Sequence, residues 1–456
     1  RNKEMGSQSM RVLALAARKL DDDEDINDIS VVESDLIFLG LVGIMDPPRP
    51  EVKEAIRICQ DAGIKVKMIT GDHHITASAI GQELAIEGAE ATPVSGADLR
   101  SMSDDEMSES VENAIFSRVT PDQKMRIVSS LQEQGEIVAM TGDGVNDAPA
   151  LSGANIGIAM GIAGTDVAKD AADMVLQDDN FANIVHAVEE GRKIYQNIRN
   201  FVRYQVSTNV AAVALIVIST FIFGWELPLT ATQILVINIL MDGPPAVALG
   251  VEKRHGNVMS RPPRPVDEGL PSGKDIALIF YLGAVMVIGT LIVFFLAGGG
   301  VYGNECSIAP FAEESDAGFS VKDCLNGDAD AISAWESYAE TTFADAQTMT
   351  FAVFIVFQLF NVLNCRSEKE SLFSLGLFSN RAINYAILAS GFLLFMFVHF
   401  ATFPLPLIGI EFGNLLSTTP LDGVDWLVLV SVASTVFLVE EFRKFMMKSG
   451  FFNVRR

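Results

Sequence analysis

The chain has 456 residues, 49% of them hydrophobic, and a formal net charge of -25. That length allows two or three domains, the apolar share points to membrane segments, and the acidity disfavours a nucleic-acid partner, because phosphate contacts need Lys and Arg. The four cysteines, Cys59, Cys306, Cys324 and Cys365, form neither a disulfide scaffold nor a metal-finger spacing.

Arg1 opens the chain with no signal peptide before the first ordered segment, which reads as a cut through a longer protein. Up to about residue 200, short apolar runs alternate with amphipathic stretches. A helical stretch precedes the Asp21–Asp25 cluster, which reads as solvated loop. Strands are expected at Leu36–Met45, Lys65–Ile69, Ala114–Phe116, Glu136–Met140 and Asn155–Met160. Helices are expected at Glu51–Ala62, Ile75–Ala85, Pro121–Gln134 and Asp166–Met174. Repeated strand–helix units favour a doubly wound parallel α/β sheet, whose ligands bind beyond the carboxyl ends of the strands.

After residue 200 six long apolar segments follow, at roughly 204–223, 229–250, 276–297, 347–365, 382–403 and 424–442. Each is near the ~20 residues needed to cross a bilayer. The loop 299–346 holds one cation, Lys322, against ten acidic residues, and the loop 404–423 holds no Lys or Arg. Lys253, Arg254, Arg261, Arg264, Lys274, Arg366, Lys369, Arg381, Arg443, Lys444, Lys448, Arg455 and Arg456 lie on the opposite side. The cation bias therefore puts the α/β domain and both chain ends in the cytoplasm. Cys306 and Cys324 share an outer loop and could pair there or remain thiols. Glu440 and Glu441 end the last segment and read as interfacial. Tyr195–Arg203 reads as a basic helix leading into the first segment.

The string Thr141-Gly142-Asp143-Gly144-Val145-Asn146-Asp147-Ala148-Pro149 follows a buried strand. Two carboxylates four apart on a glycine-bearing turn can point into one site, and magnesium takes one or two carboxylates with phosphate and water. Thr70-Gly71-Asp72 ends another strand, where a hydroxyl and backbone N–H groups could hold a phosphoryl oxygen. Alone, that tripeptide suits an ordinary turn equally well. Lys124 opens a helix and could neutralise phosphoryl charge or be a solvated surface lysine. Within the membrane part, Asp242 stands out, since an ionised group there costs ~2.5–3.5 kcal/mol or more. Asn238 lies four residues earlier, on the same side of a regular helix. Gly243, Pro244 and Pro245 interrupt that helix and free carbonyl oxygens. Asn209 and Gln358 add side-chain oxygens, or else hydrogen-bond between helices.

These residues resemble the P-type cation-transporting ATPases, which carry a haloacid-dehalogenase-like phosphorylation domain followed here by six transmembrane helices. The resemblance runs from Met10-Arg11-Val12-Leu13-Ala14-Leu15 through Asp46-Pro47-Pro48-Arg49, the Thr70 loop, Arg118 to Lys124, the Thr141 loop and the membrane part. It implies three portions: residues 1–34 as the tail of a nucleotide-binding domain, 35–190 as the phosphorylation domain, and 191–456 as stalk and membrane domain. It implies ATP and Mg2+ as cofactors, with Asp143 on magnesium and Asn146 and Asp147 supporting it. Thr70, Gly71, Asp72 and Lys124 would meet the phosphoryl group, and Arg11 and Arg118 the nucleotide.

Ile237-Asn238-Ile239-Leu240-Met241-Asp242-Gly243 looks like the ion-binding sixth helix of calcium pumps, and Asn209 matches a ligand on the preceding helix. Ala212, Met241 and Gln358 stand where reticulum-type pumps have Glu, Thr and Glu, as in plasma-membrane calcium pumps, which move one calcium per ATP. The resemblance thus implies one calcium site in a cell membrane. The Asp-Lys-Thr-Gly-Thr string of the phosphorylated Asp and the Thr-Gly-Glu loop of the actuator domain do not occur in this sequence. The chain alone is therefore expected to form no aspartyl-phosphate and to need the N-terminal half, in the same chain or a separate one. A pump for sodium, manganese or magnesium, and a non-catalytic or split subunit, are the alternatives.

Overall fold

The computed structural model describes residues 1–6, 10–20, 25–45, 47–253, 256–300, 306–310, 312, 317–400 and 416–449, with the side chains of Lys3 and Arg11 outside that description. The readings on residues 21–24, Asp46, Arg254, Glu305, Glu313, Glu314, Asp316, Arg455 and Arg456, and on the Arg11 side chain, lie outside the described residues. Two compact units result: residues 1–191 with 257–267, and residues 192–256 with 268–456.

In the first unit, strand β1 (Arg11–Ala17) pairs antiparallel with β2 (Ile37–Ile44). The stretch read as helical before the acidic cluster is therefore a strand. Its Leu- and Ala-rich sequence favours helix locally, but seven paired residues along β2 override that preference. Two parallel three-stranded sheets follow. One has β3 (Met68–Ile69), β4 (Val94–Ser95) and β5 (Ile115–Ser117) in the order β3-β5-β4. The other is β6 (Ala139–Gly142), β7 (Ile156–Met160) and β8 (Met174–Leu176). The stretch read as one helix to Met174 is a short helix, Asp166–Asp170, followed by β8.

Between the strands, the helices form where the sequence pattern allows. Pro50–Asp61 starts on proline, whose missing N–H is an orphan in a first turn anyway, and buries Ala55, Ile56 and Cys59. Pro121–Glu133 likewise starts on proline, has a capping box between Thr120 and Gln123, and buries Ile127 and Val128. Leu99, Phe116, Val119 and Ile127 meet in one core beneath β5.

The second unit holds the membrane helices: Ala182–Ile222 (which begins in the first unit), Ala231–Gly250, Gly273–Leu296, Ala329–Asn364, Arg381–His399 and Gly423–Lys448 are six helices long and apolar enough to cross a membrane. The fourth starts well before the expected residue 347, because Asp328 caps it and the helix continues through the acidic stretch. Cys306 and Cys324 are disulfide-bonded. Buried ion pairs tie helix ends together. Arg366 makes paired bonds to Glu252 at 2.9 and 3.0 Å. Arg199 and Arg203 reach Asp275 at 2.7 and 3.0 Å. Glu440 is 1% exposed and pairs with Arg443 at 2.7 Å.

Candidate phosphate and cation sites

The phosphate-type site forms at the carboxyl ends of β3, β5 and β6. The Thr70 N–H donates to the Phe116 carbonyl at 2.9 Å, and the Val119 N–H donates to the Thr70 carbonyl at 3.2 Å. The Thr70 hydroxyl donates to Asp72 Oδ2 at 3.1 Å and accepts the Asp72 N–H at 3.1 Å. The Arg118 N–H donates to the Asp72 carbonyl at 3.2 Å. These bonds join the Thr70 loop to the turn that leads into helix Pro121–Glu133. Arg118 in that turn is left-handed, with φ 52°. Its carbonyl presses on Gly96, where a Cβ would come within 2.1 Å.

Four residues into the next segment, Lys124 Nζ donates to Asp147 Oδ1 at 2.5 Å. Asp147 is 6% exposed, and its Oδ2 accepts the Gly144 N–H at 3.1 Å. A burial this deep needs such a partner, because an unpaired carboxylate away from water is costly. Gly142 makes room for it: a Cβ there would lie 2.4 Å from Asp147 Cβ. Asp147 is thus committed to holding Lys124 and the turn. Asp143, by contrast, is exposed, and its carbonyl accepts the Thr165 N–H at 2.8 Å. Asn146 and Asp72 are exposed as well. An exposed carboxylate on a glycine turn beside a fixed lysine suits one protein ligand for Mg2+ and a cation for a phosphoryl group. Among the described residues no group of three or more His, Cys, Asp or Glu stands ready to hold a metal alone. That fits magnesium, which usually shares its shell with phosphate and water.

In the second unit Asp242 is 1% exposed. The Tyr204 hydroxyl donates to its Oδ1 at 3.2 Å and the Thr208 hydroxyl to its Oδ2 at 3.3 Å. The second membrane helix is interrupted: α-helix Ala231–Val236, a π segment Ile237–Met241, then α-helix Gly243–Gly250. The Asp242 N–H reaches back five residues to the Ile237 carbonyl at 2.9 Å. Pro244 and Pro245 have no N–H, so they leave the Leu240 and Met241 carbonyls without the usual partner four residues on. Asn238 and Asp242 lie in and just after that π segment and differ in burial. Asn238 is exposed while Asp242 is buried. Asn209 is exposed too. Gln358 is 1% exposed, and neither its Oε1 nor its Nε2 has a hydrogen-bond partner among the described residues. The structure therefore brings Tyr204, Thr208 and Asp242 together and leaves Asn209 and Asn238 outside that contact. Tyr204 and Thr208 were missed in the sequence. Their signal was two hydroxyls four apart, on one face of the first membrane helix.

Comparison with known proteins bears on both sites. Residues 226–446 match the family model described as cation transporting ATPase, C-terminus. Residues 4–155 match the model for haloacid dehalogenase-like hydrolase. The two models together match most of the chain. Calcium-transporting ATPase 1 of Yarrowia lipolytica is 39% identical over 451 residues, 98% of this chain and 43% of that protein. Calcium-transporting ATPase type 2C member 2 of Homo sapiens is 39% identical over 445 residues, 97% of this chain and 40% of that protein. Type 2C member 1 of Homo sapiens is 40% identical over 442 residues, 96% of this chain and 41% of that protein. The chain spans less than half the length of these relatives. The chain thus joins a haloacid-dehalogenase-like portion to six helices long and apolar enough to cross a membrane, the latter similar to the C-terminus of cation-transporting ATPases.

Proposed function

We propose that this chain is the C-terminal portion of an ATP-driven calcium pump, in which aspartyl-phosphate turnover moves calcium across a membrane. The observation that carries the reading is Asp242, a carboxylate 1% exposed in a membrane helix interrupted at that residue. An acid held there at such cost calls for a cation. Calcium, with 6–8 oxygen ligands, suits a carboxylate supplemented by amide and carbonyl oxygens. The relatives named as calcium-transporting support the choice of ion. Gln358, buried without a hydrogen-bond partner among the described residues, and the exposed amides Asn209 and Asn238 are the further oxygen donors we assign to this cation. The rest of the shell belongs to the part of the pump outside this chain. With Ala212 and Met241 offering no oxygen side chain, we assign a single calcium site.

On the phosphate side, Asp143 would hold Mg2+, which screens phosphate charge when bound. Lys124, fixed by Asp147, would neutralise a phosphoryl oxygen, and the Thr70 hydroxyl with the Gly71 and Asp72 N–H groups would orient it. Asn146 would support the Asp143 turn, and Arg118 and Arg11 would meet ATP. The phosphorylated Asp would come from the remaining part of the pump. The cation bias of the loops supports a cytoplasmic phosphorylation domain in a cell membrane. The test is ATP-dependent calcium uptake by vesicles holding the full-length pump. Uptake that needs Asp242 supports the reading; stimulation by sodium with none by calcium overturns it.

A further inference from the structure

The contact around Asp242 has a consequence for affinity. Tyr204 is 0% exposed and Thr208 1%. Their hydroxyls lie on one helix, one turn apart, and each takes a different oxygen of the same carboxylate, at 3.2 and 3.3 Å. Thr208 has alternatives: its hydroxyl also reaches the Tyr204 carbonyl at 3.2 Å and the Gln205 carbonyl at 3.0 Å. That local pair of acceptors can take the hydroxyl whenever Asp242 is otherwise engaged. Among the described residues the Tyr204 hydroxyl has no such local acceptor, so it is committed to Asp242. On the other side, Asp242 follows the π segment, and its N–H is held by the Ile237 carbonyl.

We propose that Tyr204 and Thr208 are positioning residues that clamp Asp242 and lower its affinity for the transported cation. The proposal rests on Asp242 being a cation ligand. Hydrogen bonds donated to a carboxylate withdraw charge from the oxygens that a divalent cation needs. They also occupy both carboxylate oxygens, one hydroxyl on each. A cation must therefore compete with both hydroxyls, and the loss of either strengthens cation binding. A role in packing alone gives the opposite sign, since a damaged site binds more weakly.

The experiment is calcium-dependent ATP hydrolysis by the full-length pump in membranes at pH 8, with Thr208→Val, Thr208→Ser, Tyr204→Phe and Asp242→Asn. Hydrogen bonds to charged groups and hydrogen bonds inside membranes bracket the effect. Thr208→Val and Tyr204→Phe should each lower the half-activating calcium concentration about three- to tenfold. Thr208→Ser, which keeps the hydroxyl, should match the unaltered pump. A rise or no change in Thr208→Val overturns the clamp. If Thr208→Val does not reach the membrane, Tyr204→Phe decides by the same criterion. Full calcium activation in Asp242→Asn overturns the underlying site assignment instead, an outcome separate from any behaviour of the hydroxyl variants.

Discussion

Replacing Lys124 by Met strips Asp147 of the ammonium group that it meets at 2.5 Å. The side chains involved are 17% and 9% exposed, so the carboxylate is left almost dry, with the Gly144 N–H still bound to its other oxygen. Breaking a buried pair by removing one partner costs ~3–5 kcal/mol; with Lys124 partly wetted, about 2 kcal/mol is the expected loss. At ~1.4 kcal/mol per tenfold, that makes opening of the turn roughly 30-fold more frequent. Amide hydrogen exchange in a peptide covering residues 141–149 of the full-length pump reads this directly, because the Gly144 amide is protected by the bond that the stranded charge weakens. Adding Asp147→Asn removes the stranded charge, so the double variant should recover most of the protection. Unchanged exchange in Lys124→Met, or a double variant that opens by the product of both single effects, would refute the argument that the pair is one coupled unit.

Other expectations follow from single contacts. Gly142→Ala would put a Cβ 2.4 Å from Asp147 Cβ and 2.8 Å from its Cγ, so it should cost about 1–3 kcal/mol of local stability, read by the same exchange peptide. Arg366→Met removes the paired bonds to Glu252, which is 1% exposed, and leaves Asn380 donating to its Oε2 at 2.9 Å, so the membrane part should lose about 2–3 kcal/mol. Thermal unfolding in detergent checks this, and Glu252→Gln in the same chain should restore part of the loss. Asp179 lies outside the membrane part. The Ile162 N–H, then those of Ala163 and Gly161 and the nearby Arg49 charge, hold its carboxyl below the usual range. A depressed carboxyl stabilises the fold above its ordinary pKa and loses that contribution as the pH falls through its lowered value. Amides 162 and 163 should therefore stay protected through the ordinary carboxylate range and open only in stronger acid. Asp179→Asn should remove that dependence.

Much of the architecture could be read from sequence because it rests on local pattern. Apolar length marks the six membrane helices, and proline at the first turn marks Pro50–Asp61 and Pro121–Glu133. The misreadings have particular causes. Arg11–Ala17 has helix-forming residues, yet pairing with Ile37–Ile44 makes it a strand, and no local signal encodes a partner so far away. Met174–Leu176 is three residues long, too short for its own period. Asp143 and Asp147 were visible as a motif, but the pairing of Asp147 with Lys124, 23 residues away along the chain, was not. Asn238 and Asp242 were joined by helical spacing, but their different burial, one exposed and one buried, is set by neighbouring helices and not by that spacing. The burial of Glu440 was not visible either, because its partners, Arg443 and Lys444, lie in the same basic stretch and look like a solvated helix end.

The central claim is that Asp242 holds transported calcium. Its most direct test is ATP-dependent calcium uptake by membrane vesicles carrying the full-length pump, with and without Asp242→Asn, which keeps the shape and removes the charge. The account predicts robust uptake in the unaltered pump and none above background in Asp242→Asn, with the variant protein present in the membrane at an equal level. Equal uptake by both would contradict it.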